Sequence, residues 1–511
     1  MNIKGALVVG GLILGLSLPL IGRAFQPNGF DIFYKEVDVG EEGKTIYVDG
    51  GGDIHNFNTS TTGKHQYNEL EKLCNEWAAL HPGYTVIVNK TSSNGSRDVL
   101  IPQLQGRTAP SIIYQNGTNV NSDLGSDYYL ELSEYLEKEN PYAPNESGNG
   151  YKIWKDLYNE NELASTQASD GKYYYINLEK NSVGLLYNKN LLKEAGVNEP
   201  ENIETFEQLM DAMEKAKNHF GNSVSIYDTN YQWYSIAMES SLFSNELELG
   251  DENGNQKIST EELCKLYYSG KYTLNNEKYH TYISLIQRLN NYLPDTTNNP
   301  LSKWLNGKLV FMEGTGAEID TATGSEYPQE FEWGIIPYPS ITTETYSGAG
   351  KPFVRGSAGL ATSYWITNRA IDDGTEEACV DLLMFLTAPQ YNNRLINKLG
   401  VSIPLNPGDT EDEIPEKIRS LYEYYKNDLE DYSKGNKVGF DSFNTRAVMG
   451  TAFSTAFILA IRSLQINCVP AGNTVSETVN TLRTKFYSSY ETMVSMNKYN
   501  TTSWGERNII Q

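Results

Sequence analysis

Between residues 45 and 114, short apolar runs of strand length alternate with segments of helical periodicity, and this alternation limits the fold more than any other feature of the chain. Thr45, Ile46, Tyr47 and Val48 make a first strand-like run, stopped by Asp49, Gly50, Gly51 and Gly52. Tyr67, Leu70, Leu73, Trp77 and Leu80 then recur at steps of three and four, the stripe by which a helix buries one face, and Pro82-Gly83 ends it. Residues 84–88 and 111–114 read as two further strands, with a helix over 99–104 between them. Strands separated by helices pair in parallel, because a crossover of that length returns the chain to the same end of the sheet. The expected class is therefore α/β.

The same pattern resumes at residues 183–187, a buried strand, and at Thr205-Phe206-Glu207-Gln208, a capping box ahead of Leu209 and Met213. A chain of 511 residues exceeds the size at which one core keeps growing, so two lobes are expected. Near the end, Val475, Val479, Leu482, Phe486, Tyr490 and Met493 line one face of a long amphipathic helix. The apolar run 447–464 is interrupted by Thr451, Ser454 and Thr455 and bracketed by Arg446 and Arg462, which favours a packed helix over a membrane span.

Lys4 precedes an uncharged apolar run over residues 5–21, the layout of an export signal. Gly22, Arg23 and Ala24 suit signal peptidase, yet the run is also almost long enough to span a bilayer, so a cleaved signal and an N-terminal membrane anchor over residues 1–24 both stay open. No cysteine follows it to carry a lipid. The 41 Lys and Arg against 65 Asp and Glu give a formal charge of -24, which repels phosphate backbones and argues against nucleic acid as a partner. Cys74, Cys264, Cys379 and Cys468 form no CxxC pair and most have apolar neighbours, so buried thiols are expected, with one disulfide between distant positions still open.

Several stretches, in order along the chain, carry a resemblance. They are Gly171-Lys172-Tyr173-Tyr174-Tyr175-Ile176, then Gly184-Leu185-Leu186-Tyr187-Asn188-Lys189-Asn190-Leu191-Leu192, then Trp304-Leu305-Asn306-Gly307-Lys308-Leu309-Val310-Phe311-Met312. Trp333-Gly334-Ile335-Ile336-Pro337-Tyr338-Pro339, Lys351-Pro352-Phe353-Val354-Arg355-Gly356-Ser357 and Gly400-Val401-Ser402-Ile403-Pro404 continue the series. Together they resemble the extracellular solute-binding proteins of carbohydrate ABC transporters, the group that includes maltodextrin-binding proteins. The resemblance implies a two-lobed periplasmic-binding-protein-like fold with hinged, discontinuous lobes. It places residues 44–177 and 332–388 in one lobe and 178–331 and 389–497 in the other, with crossings near Asn177, Glu332 and Pro389. It also implies an exported, extracellular or cell-surface monomer, not an enzyme, that captures a sugar or oligosaccharide and delivers it to ABC permease subunits, with no cofactor required. A secreted carbohydrate-active enzyme and a membrane-anchored sugar sensor are the alternatives.

Ligands of parallel α/β units sit beyond the carboxyl ends of the strands, where loops converge. That rule selects Asp53 and His55 after the first strand and Tyr114, Gln115 and Asn116 after the third. It adds Asn177 and Glu179 near the first crossing, and Glu313, Thr315, Arg355 and Ser357 after later strands. Sugars offer hydroxyl edges and weakly apolar faces, so planar polar side chains and aromatic rings are the right chemistry. Among 36 Tyr and 7 Trp, Trp233 and the pair Tyr364-Trp365 are candidate rings.

Residues 251–262 fit the spacing of an EF-hand or dockerin-type calcium loop: Asp251, Asn253, Asn255, the carbonyl of Lys257, Ser259 and Glu262. Gln256 departs from it, because that position normally needs glycine. A structural calcium ion is the expectation. Against enzymes, no GxSxG, HExxH or P-loop occurs, and His55, His65, His81, His219 and His280 show no metal-ligand spacing.

Overall fold

The computed structural model describes residues 43–50, 68–89, 97–229, 233–272, 277–294, 299–323, 329–399, 402–406, 416–442 and 475–509. Asp53, His55, Cys468, the apolar run 447–464 and the N-terminal segment 1–24 lie outside them.

Strand β1 (Lys44–Asp49) lies between β2 (Tyr84–Asn89) and β3 (Ile112–Tyr114) and is parallel to both. The helices Glu69–Leu80 and Arg97–Gln105 make the crossovers, as the periodicity requires. The first buries Leu70, Leu73 and Trp77 against the sheet, with Leu80 exposed at its end. A hairpin of β4 (Glu139–Pro144) and β5 (Tyr151–Ile153) follows.

Strand β6 (Ile176–Asn188) organises the rest. It is 13 residues long and buried along its whole length except at Asn181. Its first part pairs antiparallel with β10 (Ser357–Ile366), from Ile176 opposite Tyr364 to Ser182 opposite Ser357, and with β11 (Ser402–Pro404). From Val183 onward its partners are β8 (Leu309–Thr315) and β9 (Trp333–Ile336), and β7 (Ser225–Asp228) runs parallel to β8. One strand thus serves two sheets, and the change of partner falls between Ser182 and Val183.

The sheets place the crossings later than the sequence reading did. β9 still pairs with the second half of β6, so the chain returns only between β9 and β10, where Phe353 packs in one core and Val354 in the other. The helix Pro389–Leu399 and β11 remain with the first sheet, Leu395, Ile396 and Ile403 being buried there. The earlier positions are those the family resemblance implies, whereas hydrogen-bond pairing decides to which sheet a segment belongs.

The capping box closes as expected: Gln208 N donates to Thr205 Oγ1 at 3.3 Å, and Thr205 N to Gln208 Oε1 at 3.0 Å. The final helix, Val475–Asn497, lays Val479, Leu482 and Phe486 into the second core beside Leu263, Tyr267 and Ile283. Cys74, Cys264 and Cys379 are buried free thiols, and burial pushes each above its ordinary value, to about 12 for Cys264 and Cys379.

Candidate functional site

A cavity of about 300 Å³ opens where β6 passes from one sheet to the other. The carboxyl end of β3 delivers Tyr114, Gln115 and Asn116 to its wall. Gln115 is fully buried and clamped: its Nε2 donates to Tyr129 Oη at 2.7 Å, and its Oε1 accepts from Arg97 Nη1 at 3.0 Å. Arg97 in turn grips Asp123 through both terminal nitrogens, and Tyr129 donates to the same carboxylate at 3.0 Å. This network holds the strand end rigid. Gly117 follows because the Tyr175 ring lies against it; a Cβ there would stand 2.6 Å from Tyr175 Oη. Tyr175 is stacked on Trp365 at 4.6 Å and 28°.

From β6 come Asn177 and Asn181, the latter at the strand's single partly exposed position. Asn177 Nδ2 donates to Ala361 O and Ser363 Oγ, both at 3.1 Å. Behind them lies a buried charge cluster. Lys180 Nζ stands 3.1 Å from Glu162 Oε2, and Tyr425 Oη donates to Glu162 Oε1 at 2.6 Å. Lys180 also donates to Tyr425, and Glu162 and Tyr425 both face the cavity. Burial, then the charge of Glu162, pushes the Tyr425 hydroxyl well above its usual range, which keeps it a donor. Trp233, on the helix Trp233–Leu242, Lys257, and Phe440, Asp441 and Ser442 complete the lining.

Of the residues expected from sequence, Tyr114, Gln115, Asn116, Asn177, Trp233 and Ser357 line this cavity. Four others do not. Glu179 points within the sheet, where the Thr362 hydroxyl donates to it. Glu313 and Thr315 were placed beyond a strand, but β8 runs through to Thr315 and is buried throughout; Thr315 N and Oγ1 donate to Glu318 at 2.9 and 2.8 Å. Arg355 is turned away to Asp428, with Nε 3.1 Å from Oδ2, and its guanidinium lies 4.6 Å from the Tyr424 ring. Burial opposes ionisation of Asp428, yet Arg355 and Lys437 together hold its carboxyl below the ordinary range. Tyr364 and Trp365 are fully buried, Trp365 as the support of Tyr175. The reading from sequence missed Glu162, Tyr425 and Asp441, which no local pattern marks. Tyr175 was visible only as part of a family-like motif.

The 251–262 loop is drawn around its side-chain oxygens. Asp251 Oδ1 accepts from Asn255 N at 3.1 Å and Oδ2 from Gln256 N at 2.7 Å. Asn253 Oδ1 accepts from Asn255 N at 3.0 Å, and Asn255 Oδ1 from Lys257 N at 2.9 Å. Glu262 accepts from Glu252 N and Ser259 N, both at 2.8 Å, and so ties the loop's two ends. Gln256 takes the left-handed φ of +57° that its position demands of a glycine. The residue type departs from the loop pattern, but the backbone does not. Among the described residues no group of three or more His, Cys, Asp or Glu gathers, so amide, carbonyl and hydroxyl oxygens would share any cation with Asp251 and Glu262. These oxygens are hard donors of the type calcium takes.

A strand shared between two α/β sheets, with a polar cavity at the point of sharing, is the architecture of the two-lobed periplasmic-binding-protein-like fold. Solved structures of that class superpose over nearly their whole length. A cyclic alpha-maltosyl-1,6-maltose binding protein from Arthrobacter globiformis matches at TM-score 0.59 and 13% identity, covering 88% of this chain and 100% of that one. The sugar-binding protein MalE from Xanthomonas citri matches at TM-score 0.55 and 14% identity, covering 89% and 100%. A chitin oligosaccharide binding protein matches at TM-score 0.55 and 14% identity, covering 88% and 100%. No curated protein matches the chain in sequence. The bacterial extracellular solute-binding protein family matches residues 72–417, more than half of the chain, and the protein belongs to that family. Members of this family are extracellular proteins that bind solutes rather than transform them. Among the described residues no helix is long and apolar enough to cross a membrane.

Proposed function

We propose that the protein captures a sugar or oligosaccharide in the cavity at β6 and delivers it unaltered, as an extracellular monomer, to the permease subunits of an ABC importer. The observation that carries this reading is the chemistry of the lining. Asn177, Asn181, Ser357 and Ser363 offer amides and hydroxyls for sugar hydroxyls, and the Tyr175 and Trp233 rings offer flat faces for the sugar's C–H surface. The polar groups come from the first sheet and Trp233 from a helix packed on the second core, so closing one half on the other completes the site and excludes water. A ligand bound only by the folded protein at about 100 times its Kd stabilises it by about 2.7 kcal/mol. A panel of oligosaccharides followed by thermal unfolding therefore shows a rise in melting temperature for the cognate sugar, with no products on chromatography. Hydrolysis by the pure protein would overturn the reading. Trp233→Ala is expected to weaken that sugar by about 1.5 kcal/mol, roughly tenfold in Kd, with the unfolding temperature of the free protein little changed.

The 251–262 loop is read as a structural calcium site held by Asp251, Asn253, Asn255, the Lys257 carbonyl, Ser259 and Glu262. Bound there, the ion would tie the loop to the helix Thr260–Tyr268, whose Leu263 and Leu266 sit in the second core. Chelator is expected to lower the melting temperature and added calcium to restore it. Glu262→Gln, which keeps a side chain able to cap the helix, should abolish that difference. A melting curve indifferent to both reagents sinks the assignment.

A further inference from the structure

Tyr175 lines the cavity at β6 although it is only 5% exposed. Its ring is held on two sides. Trp365 stacks on it at 4.6 Å and 28° and is itself fixed, because its Nε1 donates to Gln115 O at 3.3 Å and its ring packs on that of Tyr129, 4.6 Å away. The Gly117 backbone closes against the hydroxyl end, where a Cβ would stand 2.6 Å from Oη and 2.7 Å from Cζ. Gln115 and Tyr129 belong to the network of Arg97 and Asp123, so the ring rests on a braced support. The hydroxyl at its tip is different. It has no hydrogen-bond partner among the described residues, yet it is not sealed in: the small surface that Tyr175 keeps includes this oxygen, and the cavity reaches it. A polar group withdrawn from bulk water and left without a partner is costly, and a ligand that supplies the missing bond recovers the cost. Asn181, Lys257 and Asp441 also line the cavity, but from half-buried or exposed positions where water serves them.

We infer that the Tyr175 hydroxyl is the specificity-determining hydrogen-bond group of the cleft: it reads one hydroxyl of a bound sugar, and Trp365 and Gly117 fix it in place for that contact. This role rests on the sugar reading of the cleft given above and adds a requirement that flat faces do not impose. A ring face accepts any sugar with a C–H surface, whereas a fixed donor aimed at one oxygen discriminates against the analogue that lacks it. Burial, then the charge of Asp441, pushes the Tyr175 phenol well above its ordinary range, so it stays protonated and both donates and accepts. Because the stack and the backbone hold the ring before a sugar arrives, little side-chain freedom is lost on binding.

Two measurements on the full chain test this. In the free protein, Tyr175→Phe removes a hydroxyl that bonds nothing in the fold and keeps the stacked ring, so the melting temperature is expected to stay that of the unmodified protein. A clear fall would show the hydroxyl engaged within the fold and overturn the inference. For the second, glucose, galactose, mannose, xylose and N-acetylglucosamine and the disaccharides of each are screened by thermal shift, and the best-bound of them is titrated calorimetrically beside its monodeoxy derivatives. The unmodified protein is expected to lose most affinity for one of those derivatives. Tyr175→Phe is expected to bind the parent sugar about tenfold more weakly and to bind that one derivative and the parent nearly alike. A loss shared equally by every derivative, or a parent Kd that Tyr175→Phe leaves unchanged, overturns the inference while leaving the sugar reading intact. No thermal shift with any of these sugars in the unmodified protein overturns the sugar reading itself, and the role of Tyr175 with it.

Discussion

Replacing Lys180 by Met lowers the unfolding free energy by about 3–5 kcal/mol, because it strands a buried carboxylate. Glu162 is 5% exposed and Lys180 1%, so both charges are largely withdrawn from water. With the ammonium gone, Glu162 keeps the Tyr425 hydroxyl as its one strong partner among the described residues. The cost comes from the ion left behind, not from the pair's own net worth, which for buried pairs is near zero. Lys180→Met with Glu162→Gln is accordingly expected to recover most of the loss. Urea unfolding of the two single variants and the double variant measures this, and a Lys180→Met protein within about 1 kcal/mol of the original would refute the account. Glu162 and Tyr425 also line the cavity, so the single variants lose ligand affinity as well.

The second large effect is expected at Gly356, where the chain returns from β9 to β10. Its φ is +84°, and a Cβ there would stand 2.1 Å from the carbonyl oxygen of Leu421, in the helix Glu416–Ser433. A carbonyl in a packed helix cannot swing aside, so Gly356→Ala adds a backbone displacement to the ordinary cost of a positive φ. The sum is about 3 kcal/mol or more. Gly359 is the internal control: its φ is +89°, but nothing lies within 4 Å of its Cβ position. Gly359→Ala should cost only the conformational part, about 1–2 kcal/mol. Equal melting temperatures for the two variants would show that the close approach at Leu421 is not rigid.

Comparison of the two positions shows how much a sequence can say. Gly356 and Gly359 look alike in the chain, both glycines in a Gly- and Ser-rich run. Only the arrival of Leu421 from a segment far downstream separates them. The same holds in the cleft. The carboxyl end of β3 was legible, since a strand-length apolar run ending in Tyr114-Gln115-Asn116 marks a loop by itself. Glu313 and Thr315 were misplaced by the same rule because the end of β8 depends on its pairing with Val183 and Leu185. Gly314 lies inside that strand, where a Cβ would meet the Leu186 side chain at 2.3 Å, so the glycine serves close packing.

What the sequence determined by itself was everything carried over short range. It set the alternation of strand and helix from β1 to β3, the capping box at Thr205 and Gln208, the buried stripe of the last helix, and the oxygen spacing of residues 251–262. These depend on periods of two to four residues and on hydrogen bonds between near neighbours, which are written in the order of the side chains. The tertiary structure alone decided that β6 changes partners at Ser182 and Val183. It also decided that Lys180 meets Tyr425, 245 residues away, and that Arg355 turns from the cavity to Asp428. Such meetings arise when separate elements compete for the same buried space, and no local spacing records which of them will arrive.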